Sequence, residues 1–164
     1  MSGFADSYLG QLRAALGQVP LLSVGARVLI EDGQGRFLIL RRADNGLWGV
    51  PGGGMEVGES LLDTARREAL EETNAGLRDL FAFGLSSDPV VEHYVYPNGD
   101  PVQSISLLTH ADHDGGPLRA TDGEATEFRF AAPGDIDPAT FTPPEFPIFD
   151  HWARFRETGA FQVV

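Results

Sequence analysis

The sequence predicts a single α+β domain in which a mixed β-sheet lies between helices. Apolar runs typical of strands are interspersed with a few helical segments, and no repeat or linker divides the chain. A length of 164 residues suits one globular core. We therefore treat residues 1–164 as one domain, with residues 1–19 as a helical extension ahead of the first strand.

The N-terminal part of this domain is predicted to be a short helix followed by a β-hairpin. Leucines recur at helical spacing over residues 5–17, which predicts an amphipathic helix that ends at Gly17. Two apolar, β-rich runs follow and meet at residues 32–35, where an Asp-Gly sequence is typical of a hairpin turn. Residues 47–50 form a third extended piece, directly before a glycine-rich segment.

The clearest helical pattern covers residues 60–73. Ser60 can cap the first turn, and Asp63 can reach back to it as in a capping box. Asn74 and Gly76 follow, and both residue types tolerate the left-handed conformation that ends many helices. We therefore expect a well-defined helix with both ends fixed by local sequence.

The rest of the chain is predicted to supply further strands and a last helix. A Pro-Asn-Gly-Asp sequence predicts a turn at residues 97–100, and a polar, glycine-containing stretch predicts a loop at 110–124. In chain order, we expect strands at 77–85, 91–96, 102–109 and 126–131, a proline-rich connection at 133–147 and an amphipathic helix at 148–157.

Composition excludes several classes of function. The net charge is −12, which disfavours binding of long RNA or DNA, and no apolar run is long enough to span a membrane. The absence of cysteine excludes thiolate metal sites and cysteine nucleophiles, and all 12 basic residues are arginine, which excludes a P-loop lysine. The N-terminus has no secretion-signal pattern, so we expect a cytoplasmic protein.

Three carboxylates are predicted to share one helix face. Glu68, Glu71 and Glu72 lie at positions i, i+3 and i+4 of the helix at 60–73. Oxygen donors that converge from one rigid helix suit Mg²⁺ or Mn²⁺, whereas the alternative interpretation is a solvated acidic face. The sequence therefore indicates a divalent metal site here.

A glycine-rich loop precedes this helix. Its residues 52–54 can let backbone approach a ligand closely. Glu59 lies eight residues before Arg67, and a charge-assisted bond between them could tie the loop to the helix.

Together these residues resemble the Nudix box of the MutT-like Nudix hydrolases. The resemblance covers residues 53–75, where Asn74 replaces the late glycine and the small Ala69 and Ala75 replace bulky apolar residues. Flanking segments extend it to roughly residues 20–150. The matching positions are Gly53, Glu59, Arg67, Glu68, Glu71 and Glu72.

The resemblance implies an α/β/α sandwich that hydrolyses a nucleoside diphosphate linked to another group. It implies that the three helix glutamates bind the metal and that Gly53, Glu59 and Arg67 support the loop. A further acid would take the proton of the attacking water, and Glu124 is our first choice, then Asp122 and Glu127. The alternative for these last three is solvated loop charges.

Several residues outside the box are candidates for substrate contact. Arg41 and Arg42 end a strand before the glycine-rich loop, and strand alternation lets only one of them reach a phosphate. Trp48 is more typical of a core residue. Four aromatic residues on predicted strands could stack on a base or simply pack, with Tyr96 the leading candidate: Phe81, Phe83, Tyr94 and Tyr96.

Other features are less specific. His110 and His113 resemble half of a metal site, but their loop position and the lack of a third ligand argue against one. In this superfamily, a proline about fifteen residues after the box suggests ADP-ribose and a slightly later tyrosine suggests dinucleoside polyphosphates. Pro89 falls early and Tyr94 falls late, so neither rule decides the substrate.

The sequence thus predicts Mg²⁺- or Mn²⁺-dependent hydrolysis of a pyrophosphate bond in a nucleoside diphosphate derivative or (deoxy)nucleoside triphosphate. The alternative is a non-catalytic Nudix-fold sensor of nucleotides, and a third interpretation is an enzyme for non-nucleotide diphosphates. A small-molecule nucleotide is the expected partner, without long nucleic acid or membrane. The sequence leaves open whether the chain forms a homodimer and whether residues 1–19 contribute to it.

Overall fold

In the computed structural model, which describes residues 4–121 and 123–164, the chain folds around one mixed β-sheet. The strands are β1 (Leu21–Glu31), β2 (Phe37–Arg42), β3 (Trp48–Gly49), β4 (Gly52–Gly54), β5 (Leu77–Ser86), β6 (His93–Val95), β7 (Pro101–His113), β8 (Ala125–Ala131) and β9 (Gln162–Val163). The helices are α1 (Tyr8–Leu16), α2 (Leu61–Thr73), α3 (Pro89–Glu92) and α4 (Ile148–Thr158), with 3-10 turns at Phe4–Asp6, Pro133–Asp135 and Pro138–Thr140.

The centre of the sheet is a long parallel pair, β1 and β7. Their register runs without a break from Leu21 opposite Val102 to Glu31 opposite Asp112. The main strand order is β3-β2-β1-β7-β5-β9, while β4 pairs with β1, β6 with β7 and β8 with β2. Because β4 pairs antiparallel with β1, the glycine-rich loop is fixed directly to a central strand.

Each face of the sheet is covered by a helix. Alternating side chains of β1 enter different apolar clusters: Val28 and Ile30 pack with the alanines of α2, and Leu29 packs with Phe83 and Trp152 on the α4 side. The predicted α/β/α sandwich is therefore confirmed. Within the described residues, none of the helices combines the length and apolarity needed to cross a bilayer.

The predicted helices form close to their expected positions. Ser60 caps α2, and the capping box with Asp63 is present. Asn74 ends this helix in the left-handed region, at φ 56° and ψ 21°. The helix predicted over residues 5–17 is shorter: α1 begins after the cap residue Ser7 and ends before Gly17.

Two strand predictions differ from the structure. The strand expected at 91–96 is only partly right, because the side chain of Asp88 accepts a hydrogen bond from the backbone of Val90 and starts the short helix α3. The loop expected at 110–124 is wrong at its start, since β7 continues to His113 with partners on both sides. The sequence analysis also missed β9, a two-residue strand parallel to β5.

Helix α1 contacts its own chain. The guanidinium of Arg13 donates to the carbonyl of Pro101 at 3.0 Å and lies 3.4 Å from the carboxylate of Asp100. At the other end, the backbone N–H of Tyr8 donates to the carboxylate of Glu56, which lies between the glycine-rich loop and α2. The helical extension is therefore tied to the segment that precedes α2.

Candidate active site

The three glutamates of α2 lie on the face that looks toward the glycine-rich loop. Glu72 is buried, at 3% exposure, and Glu68 is largely buried. The side chain of Glu71 is 40% exposed, so it is the most accessible of the three. The three glutamates therefore form one acidic helix face, as their spacing predicts, in which Glu72 is the most buried and Glu71 the most exposed.

Arg67 organises this face by binding several partners at once. Its Nε and Nη2 donate to the two carboxylate oxygens of Glu59 at 2.6 and 3.1 Å. Its Nη1 donates to Glu68 at 2.7 Å and to Glu71 at 3.1 Å. Its Nη2 also donates to the carbonyl of Gly54 at 2.8 Å, so a single guanidinium connects loop and helix as predicted.

The glycine-rich loop packs against the carboxylates through its backbone. Glu72 accepts a hydrogen bond from the N–H of Gly52 at 2.9 Å. A Cβ atom on Gly53 would overlap the carboxylate of Glu68, and one on Gly52 would overlap the carbonyl of Ala26. At Gly52 the overlap is with backbone of β1, so only glycine fits there, whereas a side chain at Gly53 would displace the carboxylate of Glu68.

The buried carboxylates repel one another. Burial raises the pKa of Glu68 to about 7, against the opposing effect of Arg67, and the charges of Glu71 and Glu124 add to the increase. Burial also raises the pKa of Glu72 well above its usual range, and the charge of Glu68 adds to it. A site with this excess of negative charge favours a bound cation.

The donor chemistry of the cluster fits Mg²⁺ or Mn²⁺, which prefer carboxylate and water oxygens. Within the described part of the chain, no group of three acidic or histidine side chains has a metal-binding arrangement in this structure. Arg67 accounts for this, since it holds both Glu68 and Glu71. One arginine does not neutralise several glutamates, so the cluster keeps the negative charge that a divalent ion needs.

Of the outer acids named from the sequence, Glu124 is brought to the cluster. Its charge raises the pKa of both Glu68 and Glu72, and it lies just before β8. Glu127 lies on β8, 3.8 Å from Arg41, in an exposed ion pair. Asp122 lies outside the described residues.

A small cavity of about 30 Å³ lies at the other end of the site, which is roughly the room that one or two water molecules need. The charge of Glu145 in its wall raises the pKa of Glu72, so the cavity and the α2 cluster are electrostatically coupled. Its polar lining comes from distant parts of the chain: Arg27, Arg42, Tyr94, Tyr96, Ser104, Thr142 and Glu145.

Both predicted substrate-binding residues, Arg42 and Tyr96, line this cavity. Arg42 binds Asp44 through two hydrogen bonds of 3.0 and 2.9 Å and lies 3.9 Å from Glu145. Burial lowers the pKa of Arg42, but the bond to Asp44 and the charge of Glu145 raise it above its ordinary value. Arg41 is exposed and does not line the cavity, as strand alternation requires.

Glu145 is a residue that the sequence analysis missed. Its carboxylate accepts a hydrogen bond from the N–H of Val50 at 2.9 Å, and a Cβ on Gly49 would overlap it. Burial raises the pKa of Glu145, while the charges of Arg27 and Arg42 lower it. In the sequence, Glu145 is a lone carboxylate in the proline-rich connection at 133–147. The same pattern is typical of an exposed loop, so it does not indicate a site.

The remaining aromatic candidates are packing residues. Phe81 and Phe83 both contact Trp152 of α4, with ring centroids 6.1 and 5.1 Å apart. Trp48 packs against the core on the same side, with the guanidinium of Arg129 4.8 Å from its ring centroid. These rings stabilise the sandwich instead of forming a stacking platform.

The two histidines do not form a site together. Because β7 extends through both, His110 and His113 point to opposite faces of the sheet, and the predicted loop position was wrong. His110 stacks on Trp152 at 4.1 Å and its Nε2 lies 2.8 Å from the carboxylate of Glu31. His113 instead contacts Phe130.

Comparison with known proteins gives consistent results. The family model for the NUDIX domain matches residues 21–152. A MutT-like protein of Streptomyces ambofaciens is 32% identical over 117 residues, which cover 71% of this chain and 68% of that protein. An m7GpppN-mRNA hydrolase of Danio rerio, NUDT17, is 39% identical over 61 residues, but the match spans only 20% of its length. A solved NUDIX hydrolase from Nitrosomonas europaea has a TM-score of 0.65 at 23% identity, over 87% of this chain and 78% of that one.

Proposed function

The chain belongs to the NUDIX domain family and is a Nudix pyrophosphohydrolase, and from this premise we propose that it cleaves a nucleoside diphosphate derivative or a (deoxy)nucleoside triphosphate with Mg²⁺ or Mn²⁺. The observation that carries the proposal is the cluster of buried, mutually repelling carboxylates beside a glycine-rich backbone. In this cluster the pKa of Glu68 is raised to about 7. Such a cluster is stabilised by a divalent ion and the phosphates that this ion can bind.

Glu68, Glu71 and Glu72 would hold the metal. When bound, the ion would neutralise the diphosphate and make a water molecule a stronger nucleophile. Arg67, held by Glu59, keeps the glycine-rich loop against α2 and would so hold the loop backbone in place when a substrate binds. This preorganisation is the main contribution of the protein to phosphoryl transfer.

Glu124 is the residue that we propose as proton acceptor. Glu124 is exposed, and its charge raises the pKa of both Glu68 and Glu72, which supports a role as acceptor of the proton of an attacking water. A carboxylate in this position can take a proton from water and release it to solvent. Glu127 lies on β8 in an exposed pair with Arg41.

The cavity beside the cluster would receive the end of the substrate that carries no phosphate. Each arginine in its wall already binds a carboxylate, Arg27 with Glu92 and Arg42 with Asp44. A further phosphate would find little uncompensated positive charge there, whereas the tyrosine and threonine hydroxyl groups suit an uncharged group with hydrogen-bonding atoms. The net charge of −12 also disfavours a capped mRNA as substrate.

A panel hydrolysis assay with Mg²⁺ and Mn²⁺ tests the proposal. The panel contains ADP-ribose, nucleotide sugars, dinucleoside polyphosphates and normal and oxidised triphosphates, with products separated by chromatography. We expect one class to exceed the others by about 100-fold in kcat/KM. Glu71→Gln should lower kcat at least about 100-fold, as loss of one preorganised charge does, whereas the control Glu157→Gln, at an exposed position on α4, should not.

The same assay separates the enzyme from a sensor. Nucleotide binding without any product, over the whole panel and with both metals, would contradict catalysis and favour a binding module. Full activity of Glu71→Gln would contradict the assignment of the metal site. The hydrolase interpretation is favoured because the box retains every carboxylate that binding of a metal needs, at positions 68, 71 and 72.

A further inference from the structure

The two walls of the cavity come from distant segments, and one side chain binds both. One wall is Tyr94 and Tyr96, which follow α3 in the chain, and the other is Thr142, Pro144 and Glu145. Arg27 of β1 lies between them. Its Nη1 and Nη2 donate to the two carboxylate oxygens of Glu92, both at 2.7 Å, and Nη1 also donates to the carbonyl of Pro144 at 2.8 Å.

The buried end of this connection is fully bonded. Glu92 has no exposed surface, and its carboxylate also accepts a hydrogen bond from the hydroxyl group of Ser86 on β5. On the other side, the hydroxyl group of Thr109 donates to the backbone carbonyl of Arg27 at 2.8 Å. A buried ion pair of this kind contributes little net stability compared with apolar residues, so its presence calls for a different explanation.

The position of Glu145, the residue after Pro144, explains why the chain has this buried ion pair. Glu145 forms one side of the cavity and is hydrogen bonded to the N–H of Val50. Arg27 binds the carbonyl of Pro144, the residue before Glu145, and so restrains the position of Glu145 in the cavity wall. Through Glu92 the same guanidinium fixes the end of α3, from which the chain continues into the tyrosine-bearing wall.

We propose that Arg27 and Glu92 are positioning residues that hold the two walls at a set separation and so determine which uncharged group of the substrate enters the cavity. The inference rests on the proposed function for the identity of the ligand, but the connection itself is a property of the chain. A cavity of about 30 Å³ accepts only a narrow group in this state.

The test removes the polar connection without leaving a buried charge. In Arg27→Met/Glu92→Met both charges are replaced by apolar side chains of similar length, so the fold should survive, whereas Arg27→Met alone leaves Glu92 unpaired and is expected to be destabilised. The control is Arg36→Met, which breaks a comparably short Arg–Asp pair, with a contact of 2.6 Å to Asp32, at the hairpin tip.

For the double variant we expect KM for the preferred substrate to rise about tenfold and selectivity within the panel to fall, while kcat changes less than about threefold. Amide hydrogen exchange should accelerate in residues 142–147 and 93–96 and stay unchanged in the central strands. The control should retain the wild-type KM, kcat, selectivity and exchange rates.

A folded double variant with wild-type KM and selectivity would overturn the inference, and so would unchanged exchange in the two walls. The two proposals fail separately. If the wild-type protein cleaves nothing in the panel, the proposed function is wrong, while the exchange comparison still decides whether Arg27 and Glu92 hold the walls.

Discussion

Arg67 and Glu59 form a two-point ion pair at the base of the glycine-rich loop, with 2.6 Å between Nε and Oε1 and 3.1 Å between Nη2 and Oε2. The same guanidinium also binds Glu68 and Glu71. The pair therefore has two consequences: it anchors the loop, and it orients the guanidinium group that binds Glu68 and Glu71. Its strength depends on the protonation of Glu59.

The contribution of Glu59 to stability should depend on pH. The hydrogen bond from Arg67 lowers the pKa of Glu59 from 4.5 to about 2 in the folded protein. A carboxylate whose pKa is lower in the folded than in the unfolded protein stabilises the fold at any pH above the unfolded-state pKa. This stabilisation disappears as the pH falls from 4.5 toward 2. Wild type should thus be more stable than Glu59→Gln at pH 6, with the difference vanishing near pH 2.

Denaturant unfolding of both proteins across this pH range measures the difference. Glu157→Gln provides a control, since it removes an exposed carboxylate on α4, away from the loop and from Arg67. A difference between wild type and Glu59→Gln that stays constant from pH 6 to pH 2 would show that Glu59 acts through packing and not through its charge.

Gly53 and Gly54 should respond very differently to alanine. A Cβ on Gly53 would overlap the carboxylate of Glu68, whereas on Gly54 it would meet only the hydroxyl oxygen of Ser23, at 3.9 Å. We expect Gly53→Ala to lower kcat/KM at least about tenfold, because a small displacement of Glu68, a proposed metal ligand, would be costly. Gly54→Ala should stay within about threefold of wild type.

Steady-state kinetics on the preferred substrate, together with circular dichroism, check this pair. Both variants should have wild-type secondary structure. Equal activity of the two alanine variants would indicate that the loop can move away from α2, and the close packing of Gly53 on Glu68 would then be irrelevant to catalysis.

Mg²⁺ should stabilise the wild-type protein through the carboxylate cluster. At a concentration 100 times its Kd, a ligand that binds only the folded state adds about 2.7 kcal/mol. In Glu72→Gln the side-chain oxygen can still accept the N–H of Gly52, so the fold should persist, but a buried negative charge is lost. The increase in Tm on adding Mg²⁺ should therefore largely disappear.

Thermal unfolding with and without Mg²⁺ measures the effect, and Glu127→Gln serves as the control, since that carboxylate lies in an exposed pair on β8. The same increase in Tm for wild type and Glu72→Gln would place the metal elsewhere. Excess Ca²⁺ or EDTA in the same series distinguishes specific binding from a general effect of ionic strength.

Local sequence predicted the parts of the site that are themselves local. The helix spacing of Glu68, Glu71 and Glu72, the capping box at Ser60 and the left-handed Asn74 each depend on neighbours a few residues away. The pair of Glu59 and Arg67 was also accessible, because both lie in one continuous motif.

The cavity could not be predicted in this way. Arg27 and Glu92 are 65 residues apart, and Pro144 lies 117 residues from Arg27, so their contact depends on the register of the whole sheet. The extension of β7 to His113 was missed for a similar reason: its polar residues pair with β1 and β5, which a single sequence does not show.

Asn74 gives a last test, at the position where the sequence departs from the Nudix box. Its backbone lies in the left-handed region at φ 56°, and its side-chain amide donates to the carbonyl of Pro117 at 3.0 Å. Asn74→Ala should lower the free energy of unfolding by about 1 to 2 kcal/mol, because a Cβ without a polar group disfavours this conformation. Asn74→Gly should change it by less than about 0.5 kcal/mol, since glycine adopts the conformation freely but loses the amide bond.

Urea unfolding of the two variants measures the difference, with Arg66→Ala on the exposed side of the same helix as the control, for which a change within about 0.5 kcal/mol is expected. Asn74 lies only two residues after Glu72, so its replacement could also affect activity. If the helix end affects stability alone, neither variant should change activity much. A variant Asn74→Ala that is as stable as wild type would mean that the chain leaves α2 through a different conformation. A large loss of activity in Asn74→Gly would instead show that the contact with Pro117 helps to place the loop that carries Glu124.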